Sequence, residues 1–216
     1  MIAMKKILLL CFTGLCLSSC KDRKAESPAP DPVVIKNKQA VKPAPDPGPN
    51  PYAGIDASPM DMCYFPVDFP KLKFNPDNNI STPKARLIYS RPHLQGRHIF
   101  HEVLKYGEPW RLGANEATEL QLFNNALIQG KPIKAGRYTL YCIPQQKEWT
   151  IVFNNNTDSW GLQQDATKDL ARFTVPVEEK NQSLEYFTMV FENAKEGANL
   201  LMAWDNVEVR LPISFQ

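Results

Sequence analysis

The sequence predicts an all-β fold, an antiparallel β-sandwich of jelly-roll-like character with about nine short strands. After Ser58, apolar residues recur at every second position in many short segments, and turn-forming residues separate these segments. Only residues 100–104 and 165–170 have the pattern of a helical turn, so no long helix is expected. The predicted strands are 85–89, 119–123, 126–128, 137–143, 149–153, 172–177, 184–191, 200–204 and 207–213.

The alternation also predicts which face of a strand is buried. In the last predicted strand, every second residue from Val207 to Ile213 is aliphatic, whereas Glu208 and Arg210 lie between them. Two similar inward-facing sets are Trp149, Ile151 and Phe153, and Leu200, Met202 and Trp204. We therefore interpret these aromatic residues as core, and no cofactor is predicted.

The N-terminus has the pattern of a lipoprotein signal peptide over residues 1–19. Lys5 and Lys6 precede an apolar run at residues 7–17, which is too short for a helix that spans a bilayer. The sequence LSSC at residues 17–20 resembles the bacterial lipobox, in which the cysteine is lipidated and becomes the mature N-terminus. The alternative is an ordinary signal peptide followed by a chance cysteine.

Lipidation of Cys20 predicts a protein anchored to a membrane of the cell envelope, by several acyl chains with palmitate among them. We expect the outer membrane, on its periplasmic or surface side. Residues 20–57 are predicted to be a tether, since eight prolines occur between residues 28 and 51. Fully extended, this tether would span about 110 Å. Residues 58–216 are predicted to form the single folded domain.

The charge balance gives no reason to expect a nucleic-acid partner. The chain has 25 basic and 23 acidic side chains, and removal of residues 1–19 takes away only Lys5 and Lys6 from this total. The mature chain is therefore neutral, whereas proteins that bind nucleic acid usually carry a basic surface.

Polar clusters at the predicted strand ends are the candidate site. The longest is EPWRLGANEATEL at residues 108–120, which fits neither a helical stripe nor a strand. Arginine suits bidentate recognition of carboxylate, phosphate or sulfate, and loops at strand ends commonly carry the sites of β-sandwiches. The candidate ligand-binding residues are Tyr89, Ser90, Arg91, Arg97, Trp110, Arg111, Asn115, Glu116, Thr118 and Trp160.

Several of these clusters resemble motifs of the bacterial domain of unknown function 2911 family. The resemblance rests on SPMDM, YFPVDFP, YSRP, GRxIF, WRLGANEAT, AGRYTLYCIP and EWTIVFN, and it covers residues 58–215. It implies a secreted or envelope-anchored, mostly β domain, and it implies no particular activity. The family pattern does not call for the histidines at residues 93, 98 and 101, so no metal site is predicted from them.

The residues 108–120 allow two interpretations. In the first they form a structural corner, with Glu116 paired to Arg111 or Arg91 and Trp110 covering the core. In the second they line a polar pocket for a sugar or an anionic small molecule, with Trp110 and Trp160 as its walls. Both interpretations predict one contact network that contains Arg91, Arg111 and Glu116.

The leading functional hypothesis is therefore non-catalytic binding of a small polar or carbohydrate-like ligand, or of an envelope partner. One alternative is an envelope hydrolase that uses Glu116 as its acid or base. Two observations weaken it: Ser90 lacks a partner base, and Asp61 is the only other carboxylate counted among the signature residues of the family motifs. The other alternative is a purely structural envelope protein. Cys63 and Cys142 are predicted to be free thiols and not a disulfide.

Overall fold

The computed structural model describes residues 58–75, 77 and 82–216. The predicted signal peptide, the lipidation residue Cys20 and the predicted tether lie outside the described residues. None of the helices in the described part of the chain is both long enough and apolar enough to cross a membrane.

The strands form one nine-stranded antiparallel sheet, which confirms the all-β, antiparallel prediction. They are β1 (Met60–Phe65), β2 (Ala85–Ser90), β3 (Thr118–Leu122), β4 (Ala126–Ile128), β5 (Lys131–Ile133), β6 (Gly136–Pro144), β7 (Glu148–Asn154), β8 (Asp169–Ala194) and β9 (Gly197–Phe215). Their order in the sheet is β1-β2-β3-β6-β7-β8-β9-β4-β5. Because all nine join one sheet, the jelly-roll-like sandwich stays a prediction.

The strand count agrees with the sequence, but the strands are not the same nine. β8 and β9 are each one long strand of 26 and 19 residues, where the sequence predicted two strands in each. The polar run at residues 178–183 stays extended and forms no turn, although the pairing of β8 with β9 shifts register between Glu179 and Leu184. β1 and β5 were not predicted, because prolines interrupt or flank both short segments.

The core lies between the β1–β2 end of the sheet and β8. The Tyr89 hydroxyl on β2 accepts a hydrogen bond from the Met189 backbone N–H on β8 at 2.9 Å. The ring of Tyr89 meets Phe187 edge-on at 5.8 Å, and the ring of Phe65 lies 6.1 Å from that of Phe191. The predicted inward-facing residues of Trp149–Phe153, Leu200–Trp204 and Val207–Ile213 are buried, which confirms the prediction for these side chains. Val152 and Ala203, which lie between them, are buried as well.

Three short helical segments accompany the sheet. The predicted helical turns are present as a π-helical turn at Ile99–Val103 and a 3₁₀ turn at Ala166–Lys168. The third segment, α1 (Phe69–Phe74), was not predicted. It follows β1 and has a proline in its first turn, where the missing N–H costs no hydrogen bond.

Cys63 and Cys142 are both free thiols. Cys63 lies on β1 and Cys142 on β6, and β2 and β3 lie between these strands. Through Leu87 and Leu120, Cys63 lies level with Tyr138, which is four residues from Cys142 on β6, so the two cysteines are too far apart for a disulfide. Burial raises the pKa of the Cys63 thiol to about 12 and also raises the pKa of Cys142, which favours the protonated form of both thiols.

Candidate functional site

Trp110 fixes residues 108–120 to the core. Its backbone exchanges two hydrogen bonds with Cys142 on β6, at 2.7 and 2.8 Å. Its indole ring stacks on Trp204 at 5.6 Å and meets Phe187 at 4.7 Å and Trp149 at 6.0 Å edge-on. Aromatic contacts of this kind add stability beyond the area they bury. Trp110 is therefore half-buried as one member of an aromatic cluster.

Hydrogen bonds within residues 110–118 close this stretch into a compact corner. The Trp110 Nε1–H donates to the Gly113 carbonyl at 3.1 Å, and the Thr118 hydroxyl donates to the Leu112 carbonyl at 2.6 Å. Leu112 and Asn115 have φ angles of 55° and 59°, which non-glycine residues seldom adopt. At Gly113 a Cβ would lie 3.2 Å from the Ser90 carbonyl oxygen, so this position leaves little room for a side chain.

Arg91 joins β2 to both β1 and β8. Its guanidinium donates to the Phe187 carbonyl at 3.3 Å and to the Thr188 hydroxyl at 3.2 Å, and lies 3.5 Å from the Asp61 carboxylate. Its neighbours Tyr89 and Ser90 are buried in the same region. Burial raises the pKa of Tyr89 to about 12, so this hydroxyl stays protonated. These three candidate residues therefore hold the sheet together.

The predicted network of Arg91, Arg111 and Glu116 is wrong. Arg91 pairs with Asp61, and in the described part of the chain no ion pair joins Glu116 to either arginine. Glu116 is exposed, whereas Arg111 is half-buried and lines a different concavity. The prediction failed because Leu112 and Asn115 take left-handed turns, and because the sequence did not reveal β1, whose Asp61 lies beside Tyr89 in the sheet.

Arg111 lines a cleft that we call the arginine cleft, with a volume of about 490 Å³. The residues that define it are His93, Arg97, Trp110, Arg111, Leu162 and Trp204. The Arg97 guanidinium is held by the Leu94 and His93 carbonyls, at 2.8 and 2.9 Å. The His93 ring stacks on Tyr186 at 5.3 Å. No carboxylate is among the described residues that line this cleft, so its character is cationic and aromatic.

Glu116 lines a second concavity of about 440 Å³, which we call the glutamate cleft. Glu119, Asp158 and the exposed Trp160 line it as well. Arg137 contacts both Glu119 and Asp158, and this partly neutralises the two carboxylates. The candidate residues Glu116 and Trp160 thus line one concavity, and no other candidate residue lines it.

No group of three or more metal-ligating side chains was found among the described residues. His93 Nδ1 lies 3.8 Å from a Glu185 carboxylate oxygen, and Nε2 lies 3.1 Å from the Gln95 side-chain nitrogen. His98 is exposed, and its backbone N–H donates to Glu102 at 2.6 Å.

A comparison with protein families identifies the domain. The model of a family described as protein of unknown function (DUF2911) matches residues 74–213, more than half of the chain. The chain belongs to the DUF2911 family. No curated protein and no solved structure matches it.

All ten candidate residues of this DUF2911 chain lie inside the matched range. β1 lies before that range, so the early motifs that suggested the resemblance at residues 58–70 are not part of the match. Two contributors to the arginine cleft of the DUF2911 domain were missed by sequence reasoning. Trp204 was interpreted only as core, and His93 only as an exposed variable residue. Nothing in the local sequence pattern places either beside Arg111.

Proposed function

We propose that this DUF2911 protein is a lipid-anchored cell-envelope protein whose arginine cleft binds a small anionic, carbohydrate-like ligand without catalysis. The observation that carries the proposal is that Arg97 and Arg111 line one cleft with Trp110. The anchor is proposed from the LSSC sequence at residues 17–20. The volume of about 490 Å³ suits one or two sugar rings, because small-molecule pockets commonly measure about 300–1,000 Å³.

The charge of the arginine cleft favours an anion. Arg97 uses two of its N–H groups to bind backbone carbonyls, and a guanidinium has five such donors in a fixed fork. These two bonds orient the side chain and leave other donors for a ligand carboxylate, sulfate or phosphate. Glu185 approaches His93 from β8 but does not line the cleft, so it does not reverse the cationic character.

The aromatic side of the cleft favours a ligand with a flat apolar face, such as a sugar ring. Trp110 is half-buried, and Trp204 beneath it is fully buried. The stacked pair is therefore a rigid wall that loses little conformational entropy when a ligand binds. Ser90, the serine considered as a nucleophile, is buried with its hydroxyl 2.8 Å from the Met60 sulfur and does not line the cleft.

A ligand screen with an arginine variant tests this proposal. We expect uronic acids, acidic muropeptides or sulfated sugars to raise the melting temperature more than their neutral counterparts do. Arg97→Gln is expected to weaken binding of the best anionic ligand by roughly 10- to 100-fold, since hydrogen bonds to charged groups contribute about 1.5–3 kcal/mol. Isothermal titration calorimetry measures the change.

The matched control is Arg137→Gln, which removes an exposed arginine that contacts the glutamate cleft. This variant is expected to leave the affinity unchanged. Equal losses in the two variants would show that net charge, and not the arginine cleft, governs binding. If no anionic ligand raises the melting temperature, the binding function is wrong and a structural envelope role gains support.

A second candidate function is glycan hydrolysis in the glutamate cleft, with Glu116 as acid or base. The observation in its favour is that an exposed Glu116 shares an open cleft with Glu119, Asp158 and Trp160. Glycosidases commonly use two carboxylates on either side of the scissile bond. Arg137 contacts both Glu119 and Asp158, whereas no ion pair joins Glu116 to a described residue, so Glu116 is the candidate acid or base of this cleft.

Turnover of chromogenic glycosides separates this candidate from the binding function. If the glutamate cleft is catalytic, Glu116→Gln is expected to lower kcat at least about 100-fold, because general acid–base catalysis contributes roughly 10²–10⁴-fold. The arginine-cleft variant Arg97→Gln serves as the control and should retain kcat. An inactive wild-type protein, or activity that persists in Glu116→Gln, would exclude this role for Glu116.

A further inference from the structure

Exposed apolar side chains are concentrated in one short part of the domain. Met60, Met62, Val67 and Phe74 have exposed fractions of 52, 47, 50 and 92 %, and all four lie within 15 consecutive residues. Met62 and Phe74 also line a concavity of about 650 Å³. Single exposed apolar residues are ordinary on a protein surface, but exposed apolar residues that share a concavity, as Met62 and Phe74 do, indicate an interaction site. We call this group, with Lys71 and Lys73, the β1–α1 face.

The fold holds the β1–α1 face in place. β1 is an edge strand that pairs only with β2. α1 is fixed to the domain by Phe69, which is buried and whose ring lies 5.3 Å from that of Tyr64. With Phe69 directed inward, Phe74 at the other end of the helix is left almost fully exposed. The exposure of Phe74 is therefore a consequence of how α1 is docked.

The charge of the β1–α1 face distinguishes between possible partners. Lys71 and Lys73 are exposed in the last turn of α1, and neither takes part in an ion pair with any described residue. The exposed acidic residues of the same segment, Asp68 and Asp77, lie before and after the helix and not in this turn. A second copy of this chain related by two-fold symmetry would bring the same lysines close to their own copies, which is unfavourable. Anionic lipid headgroups would instead neutralise both lysines, while Phe74 and Val67 enter the interface.

The position of the β1–α1 face in the sequence also bears on its partner. The predicted tether ends at residue 57 and β1 begins at Met60, so the β1–α1 face is the part of the domain that follows the predicted anchor and tether directly in sequence. We infer that the β1–α1 face docks on the surface of an anionic lipid bilayer through Phe74, Val67 and Met62, assisted by Lys71 and Lys73. The inference rests on the proposed lipid anchor only in that the anchor makes a membrane the expected partner of this face.

Vesicle binding of the chain from residue 21 onward tests the inference without the anchor or the apolar signal segment. All nine strands lie between residues 60 and 215, so this chain keeps the whole sheet. We expect it to sediment with vesicles of phosphatidylcholine and phosphatidylglycerol in equal amounts. Phe74→Ser is expected to lower the partition coefficient roughly tenfold, given the contribution of a large apolar side chain to burial. Val67→Ser should also lower the partition coefficient.

The charge contribution is tested with the lysines. Lys71→Ala is expected to lower partition about fivefold, the effect of one basic residue near an anionic surface. Added salt should weaken the binding of the unchanged chain and affect Lys71→Ala less. Vesicles of phosphatidylcholine alone should bind the unchanged chain more weakly than the mixed vesicles do.

Leu170→Ser is the matched control, because Leu170 is an exposed apolar residue on β8 outside the face. It should bind vesicles like the unchanged chain. Melting temperatures show that each variant is folded, and Phe74 is so exposed that its replacement should not affect folding. The inference is overturned if the unchanged chain does not sediment, or if Leu170→Ser loses as much binding as Phe74→Ser. It is also overturned if the chain forms a dimer without lipid and Phe74→Ser abolishes that dimer.

Discussion

Replacement of Trp110 with alanine is expected to lower the free energy of unfolding by about 3 kcal/mol. Truncation of a buried tryptophan typically costs about 3–5 kcal/mol, and Trp110 is half-buried, so the lower end applies. The variant loses the contacts with Trp149, Phe187 and Trp204 and the hydrogen bond to the Gly113 carbonyl. Urea unfolding followed by far-ultraviolet circular dichroism measures the change without depending on tryptophan fluorescence.

Glu116→Ala is the natural control for that measurement, since both residues belong to the same corner. Glu116 is exposed, so its truncation is expected to change stability by no more than about 0.5 kcal/mol. A loss of several kcal/mol would instead require a buried ion pair, as the structural-corner interpretation predicted. If Trp110→Ala costs less than about 1 kcal/mol, its ring is not part of the core and the corner is held by its hydrogen bonds.

The fold was predictable where burial imposes a simple alternation. The inward face of β9 could be read directly, because apolar residues recur at every second position from Val207 to Ile213. In β7 the same reading found Trp149, Ile151 and Phe153 but missed Val152, which is apolar and also buried. The length of β8 could not be predicted, because residues 178–183 are polar and resemble a turn. They remain extended because β9 pairs with β8 on both sides of this run, and pairing between distant segments overrides local preference.

The candidate site was predictable in its residue types but not in its grouping. The sequence indicated that arginines and tryptophans near residues 91–118 matter, yet it placed Arg91, Arg111 and Glu116 in one network. Backbone φ angles above 50° at Leu112 and Asn115 decide where the neighbouring side chains point, and although asparagine adopts such angles more often than most residues, leucine seldom does. The carboxylate beside Arg91 comes from β1, which the sequence did not identify as a strand.

The positions of the candidate residues in the structure separate those that support the fold from those that could bind a ligand. Tyr89, Ser90, Arg91 and Thr118 are packed inside the domain or join its strands, so their substitution should affect folding before function. Arg97 and Arg111 line an accessible cleft instead. A binding test that uses Arg97 therefore probes function with less interference from stability than one that uses Arg91.

Replacement of Cys20 with serine is expected to move essentially all of the processed protein from the membrane fraction to the soluble fraction. The sequence LSSC at residues 17–20 predicts that Cys20 carries the acyl chains. Each buried methylene contributes about 0.8 kcal/mol to membrane binding, and two or more chains anchor a protein stably. Cell fractionation with immunoblotting measures the distribution, and mass spectrometry of the N-terminus shows whether the signal peptide was removed.

Cys16→Ser provides the matched control, because it changes another cysteine of the same segment and leaves Cys20 available for lipidation. It should remain in the membrane fraction. A processed Cys20→Ser protein that still sediments at both low and high salt would contradict the lipid anchor. Sedimentation only at low salt has a different meaning, because electrostatic attachment is screened by salt whereas acyl insertion is not. In that case, adding Phe74→Ser to the Cys20→Ser chain should release the protein that still sediments, because the β1–α1 face would then hold it on the membrane.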